Sequence, residues 1–528
     1  MLTVDFTFYA DFIISAALLV APFILYAEMH YRLPFFKGLL YKKQPEIIFD
    51  LPRRSETGHI PVLLLIKDAH WFPVTLEKIV IRLMDHEHKP IAGDVTVPVG
   101  TGVHTKWFTK IITIDAANFQ NQWVHLDCFA YLVGGGKAFI VRNDNYPTLS
   151  QKSFEIFMDR DPLPKEDGWL WGDLHVHSSY TEDQVEFGVP PDCYRPLGRT
   201  MGLSFCAVTD HSYDLDDSPD SWTVQDPDLR KWQRLLNDIH DLNRSNRDFI
   251  LIPGEEVSVD NGFGRTVHMN VLNDPHFHCG SGDGMEKSLG QVTESHYATV
   301  LDTIPDQSLA FAAHPFEKPP FWHHLLIHRG IWNRRDYHPR LAGFQILNGK
   351  PAGDFETGKA FWISQLLKGR RQLIYAGNDS HGNFNRFRQV LIPLLLMHEH
   401  QHQIFGQNLT GIKADLDNGV QGIIDALKGE NVIISDGPFL SLESAADNIV
   451  TINARSTPYF GTLDQLTVFI GNVKAVRETV FRQETYHAGE LQSRFDLTVE
   501  NMPEKAYLRA ELTTLNGHFA LTNPIWQK

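Results

Sequence analysis

This chain has few cysteines, and it has no excess of positive charge. The 528 residues contain four cysteines with no CxxC pair among them: Cys128, Cys193, Cys206 and Cys279. This argues against a disulfide framework and against a zinc site built from thiolates, and it is typical of a reducing compartment. The formal net charge is −16. An acidic chain is not expected to bind nucleic acid, because such binding relies on basic surfaces.

Long apolar runs are scarce too, and the one candidate stands near the N-terminus. Residues 6–27, FTFYADFIISAALLVAPFILYA, carry a single charge, Asp11. The uncharged part, 12–27, is shorter than the roughly 20 residues that a spanning helix needs. Basic residues follow it, which by the positive-inside rule leaves the body of the chain in the cytoplasm. We expect residues 1–43 to form a hydrophobic helix that either anchors the chain to a membrane or packs on the body.

The rest of the chain divides into three segments with different sequence patterns. Residues 44–160 contain short β-rich runs separated by Pro, Gly, Asn and Asp, which predicts a β-sandwich-like domain. Residues 169–405 alternate apolar strand-like runs with amphipathic helix-length segments, which indicates an α/β domain with a parallel sheet, open or closed into a barrel. Residues 406–528 end in strand patterns and are predicted to form a smaller β-rich domain.

Histidine is unusually frequent, with 26 copies, more than the tyrosines or the tryptophans, and many of them fall at the ends of predicted strands. WGDLHVH, AVTDH, IPGEEV, AFAAHP, AGFQILNG and IYAGNDSHG each place His, Asp, Glu or Asn after an apolar run, and TVHMNVL has a histidine inside one. Taken singly, each is more often a capped or solvated polar residue than a ligand. The residues concerned are His175, His177, Asp210, His211, Glu255, Glu256, His268, His314, Asn348, Asp379 and His381.

Their recurrence favours a metal site. Buried polar groups without partners cost several kcal/mol, on the order of 2–7 each, and a bound metal removes that cost. Imidazoles with some carboxylates and no thiolates suit Zn, Mn or Fe better than Mg or Ca. The candidates outnumber the ligands of one ion, so we expect two or three divalent transition metals.

The ordered motifs DLHVHS, AVTDH, PGEE, an isolated HM in a strand, AHP and GNDSHG resemble the PHP (polymerase and histidinol phosphatase) superfamily. The resemblance covers residues 169–400. IIDALKGENVIISDGPFL (423–440) and the last strands further resemble its CehA/McbA-type branch. The resemblance implies a distorted (β/α)7 barrel with a two- or three-metal site.

The resemblance also implies a role for each matching residue. One metal would be held by His175, His177, Glu256 and Asp379, and a second by the bridging Glu256 with His268 and His314. A third would be held by His211, His381 and an acid after the HxH, either Glu182 or Asp183. Glu256, Asp379 and His211 would be the catalytic residues, and Asp173 and Asp210 would orient neighbouring histidines.

The chemistry expected from such a site is metal-assisted hydrolysis. The first hypothesis is a phosphoesterase that uses a metal-activated hydroxide on a small-molecule ester, with Arg265, Asn348 and Arg386 binding the substrate. The second is a carboxylic- or carbamate-ester hydrolase with the same metals, favoured if the pocket around Phe316, Phe321 and Trp322 is apolar. The third is a metal-binding regulatory module without catalysis.

Overall fold

The structure is a computed structural model. It describes residues 44–145, 151–181, 187–219, 221–280, 293, 295–319, 324, 328–332, 338–351, 353–391, 396–446, 448–500 and 502–527, without the side chains of 221–223, 387–391, 396–400 and 445–446.

Nine strands make up the first part of the chain. They form a three-stranded sheet of order β1-β3-β6 and a six-stranded sheet of order β2-β9-β7-β4-β5, with β8 beside β7. One apolar cluster buried here is drawn from residues between Ile47 and Met158, while Ile48, Leu63 and Leu65 belong to a second cluster shared with the middle of the chain. The strands are β1 Glu46–Asp50, β2 Arg54–Ser55, β3 His59–Lys67, β4 Val74–Met84, β5 Val95–Val103, β6 Trp107–Asp115, β7 Gln122–Gly134, β8 Lys137–Arg142 and β9 Phe154–Met158.

The middle of the chain forms one side of a large mixed sheet, in the order β18-β17-β16-β15-β14-β11-β10. Two short pairs, β12 with β13 and β20 with β21, lie outside it. The strands are β10 Trp169–His177, β11 Phe205–His211, β12 Asp217–Ser218, β13 Ser221–Gln225, β14 Ile250–Asp260, β15 Thr266–Leu272, β16 Leu309–Ala312, β17 Gly343–Asn348, β18 Leu373–Gly377, β19 Ser380–His381, β20 Phe387–Leu391 and β21 Leu396–His400.

The last strands continue the same sheet. β10 pairs antiparallel with β22, and the order then runs β22-β23-β30-β29-β26-β27, while β24-β25-β28 forms a separate sheet. The strands are β22 Leu409–Lys413, β23 Val432–Ser435, β24 Phe439–Ala446, β25 Ile449–Arg455, β26 Leu463–Asn472, β27 Arg477–Thr485, β28 Gln492–Thr498, β29 Ala506–Thr514, β30 Phe519–Thr522 and β31 Ile525–Trp526. The domain boundaries read from the sequence stay predictions.

Helices are few by comparison. Within the described residues, six α-helices stand against 31 strands, and only the helix Arg230–Ser245 is longer than 14 residues. That helix buries one face, including Trp232, Leu235 and Ile239, against the sheet. The helices are Tyr194–Met201, Ser212–Leu215, Arg230–Ser245, Tyr297–Thr303, Gly353–Leu366 and Gly419–Leu427.

The expected (β/α)7 barrel is therefore wrong. The chain is dominated by strands, and β15 runs antiparallel to both of its neighbours, β14 and β16. The sheet also continues past β10 into the last strands, to a total of fifteen, instead of being confined to the middle of the chain. The physical reason is that a short apolar run predicts a strand but carries no information on its direction or its neighbour.

The expected membrane-anchored, cytoplasmic chain is also corrected. No helix in the part of the chain that the structure describes is long and apolar enough to cross a bilayer. Residues 6–27, on which that expectation was built, lie outside the described residues.

Candidate metal centre

The ends of neighbouring strands bring the predicted ligands together. β11 and β14 run parallel, and their register places His211 opposite Glu256. β10 and β19 also run parallel, which sets His177 opposite His381. Side chains at equivalent positions of adjacent strands lie on the same face of a sheet. The HxH spacing puts His175 and His177 on that face as well, because alternate residues of a strand point the same way.

Glu256 is the centre of the cluster. Its side chain is fully buried, and its two oxygens face five imidazoles. Oε2 lies 3.4 Å from Nε2 of His175, 3.4 Å from Nε2 of His177 and 3.0 Å from Nδ1 of His211. Oε1 lies 2.6 Å from Nδ1 of His268 and 3.0 Å from Nε2 of His314. A carboxylate shared in this way could supply an oxygen ligand to a metal ion.

Asp379 is the second carboxylate. Its Oδ1 lies 3.0 Å from Nε2 of His177 and 3.5 Å from Nε2 of His175, and its Oδ2 lies 3.9 Å from Nε2 of His314. Its side chain is 18 % exposed, whereas that of Glu256 is 0 % exposed. Asp379 therefore faces the opening of the site, and Glu256 forms its floor.

The backbone is strained at two of these positions. His314 has a φ of 27° and Asp379 a φ of 51°, both in the left-handed region that residues other than glycine seldom adopt. Each stands just after the end of a strand, β16 and β18 respectively. Such strain persists only where the surroundings impose it, and it is concentrated at functional sites.

Three overlapping groups in this cluster could hold a metal ion: His175, His177, Glu256 and Asp379; His211, Glu256 and His268; and His177, His211 and His381. In each group the candidate ligand atoms lie within 4.8 Å of one another. His314 joins them through its contacts with Glu256 and Asp379. Buried His, Glu and Asp clusters that could bind a metal are thus present.

Two unsatisfied atoms support that interpretation. Oε2 of Glu256 and Nδ1 of His211 are buried, and neither makes a hydrogen bond of good geometry within the described residues, although they lie 3.0 Å apart. Leaving such atoms without partners costs about 1–3 kcal/mol each. A cation between them satisfies both, because each offers a lone pair.

The electrostatics also suit a cation. Burial raises the pKa of Glu256, but the charges of His268 and His175 outweigh burial and hold it well below its usual range. Burial lowers the pKa of His177, but hydrogen bonds and charge from Asp379 and Glu256 raise it to about 10. Burial and the charge of His177 lower the pKa of His211 to about 3. The two carboxylates therefore draw positive charge into the site, which is the property of a cation site.

Neighbouring polar residues orient the ligands. Nδ1 of His175 lies 2.9 Å from Oε1 of Gln345, and because an amide oxygen only accepts, this contact leaves Nε2 of His175 facing the carboxylates. Nδ1 of His177 lies 3.3 Å from Oγ1 of Thr181, whose hydroxyl donates to Asp210 over 2.9 Å.

Asp173 and Asp210 hold the backbone and the polar side chains that lie next to the histidines. Asp210 accepts the backbone N–H groups of Ser178 and Thr181, at 2.7 and 2.9 Å. Asp173 accepts those of His175 and Asn378, both at 3.2 Å, and so ties β10 to the residue before Asp379. Burial raises the pKa of Asp173 to about 6.

Of the three residues predicted to bind the substrate, Arg265 and Arg386 contact backbone carbonyls of other segments, and Asn348 lies near His314. Arg265 donates to the carbonyl of His324 over 2.9 Å, and Arg386 donates to the carbonyl of Lys152 over 2.6 Å. Asn348 donates to Glu317 over 3.3 Å beside His314. Glu182 and Asp183 lie outside the described residues, as do Phe321 and Trp322.

A shallow, partly open cleft lies next to His314. It contains apolar, amide and acidic groups but no arginine or lysine among the described residues that line it: His314, Pro315, Phe316, Glu317, Gln345, Ile346, Asn348 and Asp354.

Arg329 was not predicted from the sequence. Its guanidinium lies against the ring of His268, with one nitrogen 2.9 Å from Nδ1 and the other in closer contact with Nε2. Thr266 places it there, because Gly330 donates to the carbonyl of Thr266 over 2.9 Å and Thr266 forms a bridge with Arg329. No local signal in HRGIW marks such a contact. Gln345, in the middle of an apolar strand, was the one missed residue with a signal.

The comparisons with known proteins do not identify a family for this chain. No family model matches the chain, and no curated protein matches it. Solved structures with a partial likeness include a structural-genomics target, 13% identical, which covers 22% of this chain and 85% of its own with a TM-score of 0.13. A β-glucuronidase from glycoside hydrolase family 2 is 9% identical and covers 94% of this chain and 51% of its own, with a TM-score of 0.19.

A β-glucuronidase of Parabacteroides merdae is 8% identical and covers 91% of this chain and 78% of its own, with a TM-score of 0.20. The chain spans about half the length of the family 2 enzyme. TM-scores this low carry no argument about fold or activity. The functional argument therefore rests on the side chains around Glu256.

Proposed function

We propose that the chain is a metal-dependent hydrolase of small-molecule esters, and first a phosphoesterase. The observation that supports it most is the buried carboxylate of Glu256 with five imidazoles and a second carboxylate around it. We further propose a relationship to the CehA/McbA-type branch of the PHP superfamily. That relationship rests on the order of the motifs from DLHVHS to GNDSHG and not on the fold.

Two or three ions of Zn, Mn or Fe fit the donor set. Glu256 is common to two of the three candidate groups, and His177 and His211 are each common to two. Divalent ions bound there lower the pKa of a bound water toward neutrality and polarise the ester oxygen.

The residues of the chain divide the remaining work. Glu256 is fully buried and supplies a negative charge at the base of the site. Asp379 faces the opening of the site. There it contacts the candidate ligands His175 and His177 and is accessible to a substrate. His211, with its pKa held near 3, is neutral at pH 7, so its ring offers a lone pair rather than a charge.

Arg329 favours a phosphate ester over a neutral one. It is the arginine that the structure brings against a candidate ligand, His268. A guanidinium binds phosphate oxygens through two parallel hydrogen bonds, which are stronger when charge-assisted. In this proposal Arg329 turns from the imidazole ring to the substrate when one binds.

A carboxylic- or carbamate-ester hydrolase is the second candidate. The cleft beside His314 favours it, because its described lining includes Phe316 and Ile346 but no arginine or lysine. An uncharged acyl or aryl group fits this lining better than a second anion does.

An activity screen separates the candidates. The protein, loaded with Mn or with Zn, is assayed on p-nitrophenyl phosphate, bis-p-nitrophenyl phosphate and naphthyl ester and carbamate substrates, with a chelated sample as the control. We expect turnover of a phosphate substrate that chelation abolishes. Turnover of the naphthyl substrates alone would establish the second candidate. Metal binding without any turnover would leave the regulatory module.

Replacing Arg329 by methionine tests the choice of substrate class. We expect kcat/KM on the phosphate substrate to fall about 10- to 100-fold, because a charge-assisted hydrogen bond contributes about 1.5–3 kcal/mol. Turnover of a neutral ester should change little. Arg82→Met is the control, since Arg82 pairs with Asp94 at an exposed position of the N-terminal strands. Equal losses on both substrates in R329M would contradict the phosphate assignment.

A further inference from the structure

We infer that the N-terminal strands are part of the metal centre, because they position the group formed by His177, His211 and His381. This inference rests on the proposed function only in assuming that the group binds a metal. It assigns a role to a part of the chain that lies outside the motifs. Two separate anchors connect these strands with the segments that follow His177 and His381.

The first anchor is the carboxylate of Asp50, at the end of β1. Asp50 is 2 % exposed, and its Oδ2 accepts the backbone N–H of Phe384 over 3.0 Å. Its Oδ1 accepts the backbone N–H of Asn385 over 3.1 Å and that of Leu51 over 2.8 Å. Phe384 and Asn385 stand three and four residues after His381, so Asp50 fixes the exit of the chain from the metal centre.

The same exit is bound to a second strand of the N-terminal part. The side-chain amide of Asn385 donates to the carbonyl of Glu155 over 2.8 Å, in β9. Arg386 donates to the carbonyl of Lys152 and lies over the ring of Phe154, with its guanidinium carbon 4.7 Å from the centroid. Arg386, which the sequence predicts to bind the substrate, therefore holds the loop after His381 onto the N-terminal strands.

The second anchor is Phe187. It begins the segment 187–189, which pairs with the residues just after His177. The ammonium of Lys67 lies 4.1 Å from the centroid of the Phe187 ring, and the ring of Trp107 lies 5.7 Å from it. Val189 accepts the backbone N–H of Ser179 over 2.9 Å. The segment 187–189 is thereby held between strands β3 and β6 on one side and the end of β10 on the other.

The two anchored segments also touch each other. A Cβ on Gly188 would lie 2.0 Å from the carbonyl oxygen of His177, so there is no space for a side chain. A Cβ on Gly382 would lie 2.8 Å from Cγ1 of Val189. Gly382 also has a φ of 62°, which favours glycine. A shift of either segment must therefore move the other.

This packing bears on the distance between two ligands. The rings of His177 and His381 are stacked with centroids 4.1 Å apart and planes at 11°. Each ring is followed by a segment that the N-terminal strands hold in place. By contrast, His268 lies in the middle of β15, which is supported by β14 and β16. Loss of an anchor should weaken the His177–His211–His381 group and spare the group around His268.

Asp50→Asn is the test. It keeps the size of the side chain but removes one acceptor and the charge. We expect metal titration of the full chain, followed by elemental analysis and by competition with a chromophoric chelator, to show about 10- to 100-fold weaker binding of the same equivalent that His381→Ala loses. The double variant should match H381A alone, whereas the losses in D50N and His268→Ala should add.

Asp115→Asn is the matched control, because Asp115 is an exposed carboxylate at the end of β6 whose one hydrogen-bond donor among the described residues is the N–H of Ala117, over 3.2 Å. Lys67→Met tests the second anchor and should weaken the same equivalent. A binding curve for D50N that superimposes on the wild type, or a uniform loss of every equivalent in D50N, would overturn the inference. A wild-type chain that binds no metal would instead overturn the proposed function.

Discussion

Glu255 and Glu256 are consecutive residues with opposite environments. Successive side chains of a strand point to opposite faces, so Glu256 enters the imidazole cluster and Glu255 enters the layer behind β14. Glu255 accepts the backbone N–H of His278 over 2.9 Å, and burial raises its pKa well above the usual range. The pKa of Glu256 is held well below that range. Burial therefore favours the neutral form of Glu255, whereas the imidazoles around Glu256 favour its ionised form.

Replacing each by glutamine should separate them. Glu256→Gln removes the charge shared by five imidazoles, so we expect loss of bound metal and of hydrolysis. Glu255→Gln replaces a carboxyl that bonds to the N–H of His278, outside the imidazole cluster, with an amide of similar shape and should retain both. Elemental analysis of the two purified variants is the measurement. Equal metal contents in E256Q and E255Q would show that the charge of Glu256 does not hold the ions.

At this scale the sequence predicted which side chains come together better than it predicted what surrounds them. His175, His177 and His268 stood out because polar residues in apolar strands need partners, and the structure gathers them. The choice of Glu256 over Glu255 came from the motif resemblance, since PGEE alone does not say which acid points inward. Arg329 could not be found, because its position depends on pairing with Thr266, far away in sequence.

Strands β10 and β18 approach closely beneath the site, and a glycine makes this possible. A Cβ on Gly377 would lie 2.7 Å from Cβ of His175 and 3.0 Å from Nε2 of Gln345. Both neighbours are fully buried. The glycine therefore leaves the space in which the His175 ring and its amide partner are packed.

Gly377→Ala should push His175 out of place. We expect about 1–3 kcal/mol of destabilisation from overpacking, together with weaker metal binding. Gly93→Ala is the control, because a Cβ there meets nothing within 4 Å. Thermal unfolding and metal content measure the two effects. A G377A protein with wild-type metal content would mean that His175 tolerates the displacement.

His518 links β30 to the turn after β23. Its Nδ1 lies 3.0 Å from Oδ2 of Asp436, and its side chain is 31 % exposed. Burial lowers the pKa of His518, but the hydrogen bond and charge of Asp436 outweigh it and raise the pKa. A raised folded-state pKa stabilises the fold below the unfolded value of about 6.5, and that stability is lost as the pH rises through the folded-state pKa.

His518→Gln should therefore cost stability mainly in acid. We expect a melting temperature lower than that of the wild type at pH 5.5, by an amount equivalent to about 0.5–1 kcal/mol, and a smaller difference at pH 9. His487→Gln, at an exposed position of the same region, is the control. A deficit in H518Q that is constant with pH would mean that the Asp436 contact does not depend on the charge of His518.

The element types were easier to predict than their arrangement. Apolar runs such as LSFCAVT and TVHMNVL became strands β11 and β15. The antiparallel turn between β14 and β15 had a signal that was missed, because DNGFG, residues 260–264, is a sequence typical of a hairpin. Reading β14 and β15 as successive parallel strands led toward the barrel.

Over the whole molecule, β10 connects the three parts of the chain. It pairs with β11 toward the middle of the chain and with β22 toward the last strands, and it ends in His175 and His177. The segment after it packs on the N-terminal strands through Phe187. Strand order of this kind depends on contacts between residues far apart in sequence, so local patterns could not predict it.

Metal binding should consequently be coupled to the stability of the entire chain. Ligands that bind only the folded state stabilise it by about 2.7 kcal/mol at a hundred times their dissociation constant. We expect the protein to melt at a lower temperature after chelation and to regain its melting temperature when Mn or Zn is restored.

The most direct test of the account is the metal content of the purified full-length protein, measured by elemental analysis beside its melting temperature. The account predicts at least two equivalents of transition metal per chain, with a fall in melting temperature when they are removed. A protein that carries no metal, takes none up from Mn or Zn and melts at the same temperature with and without chelator would contradict it.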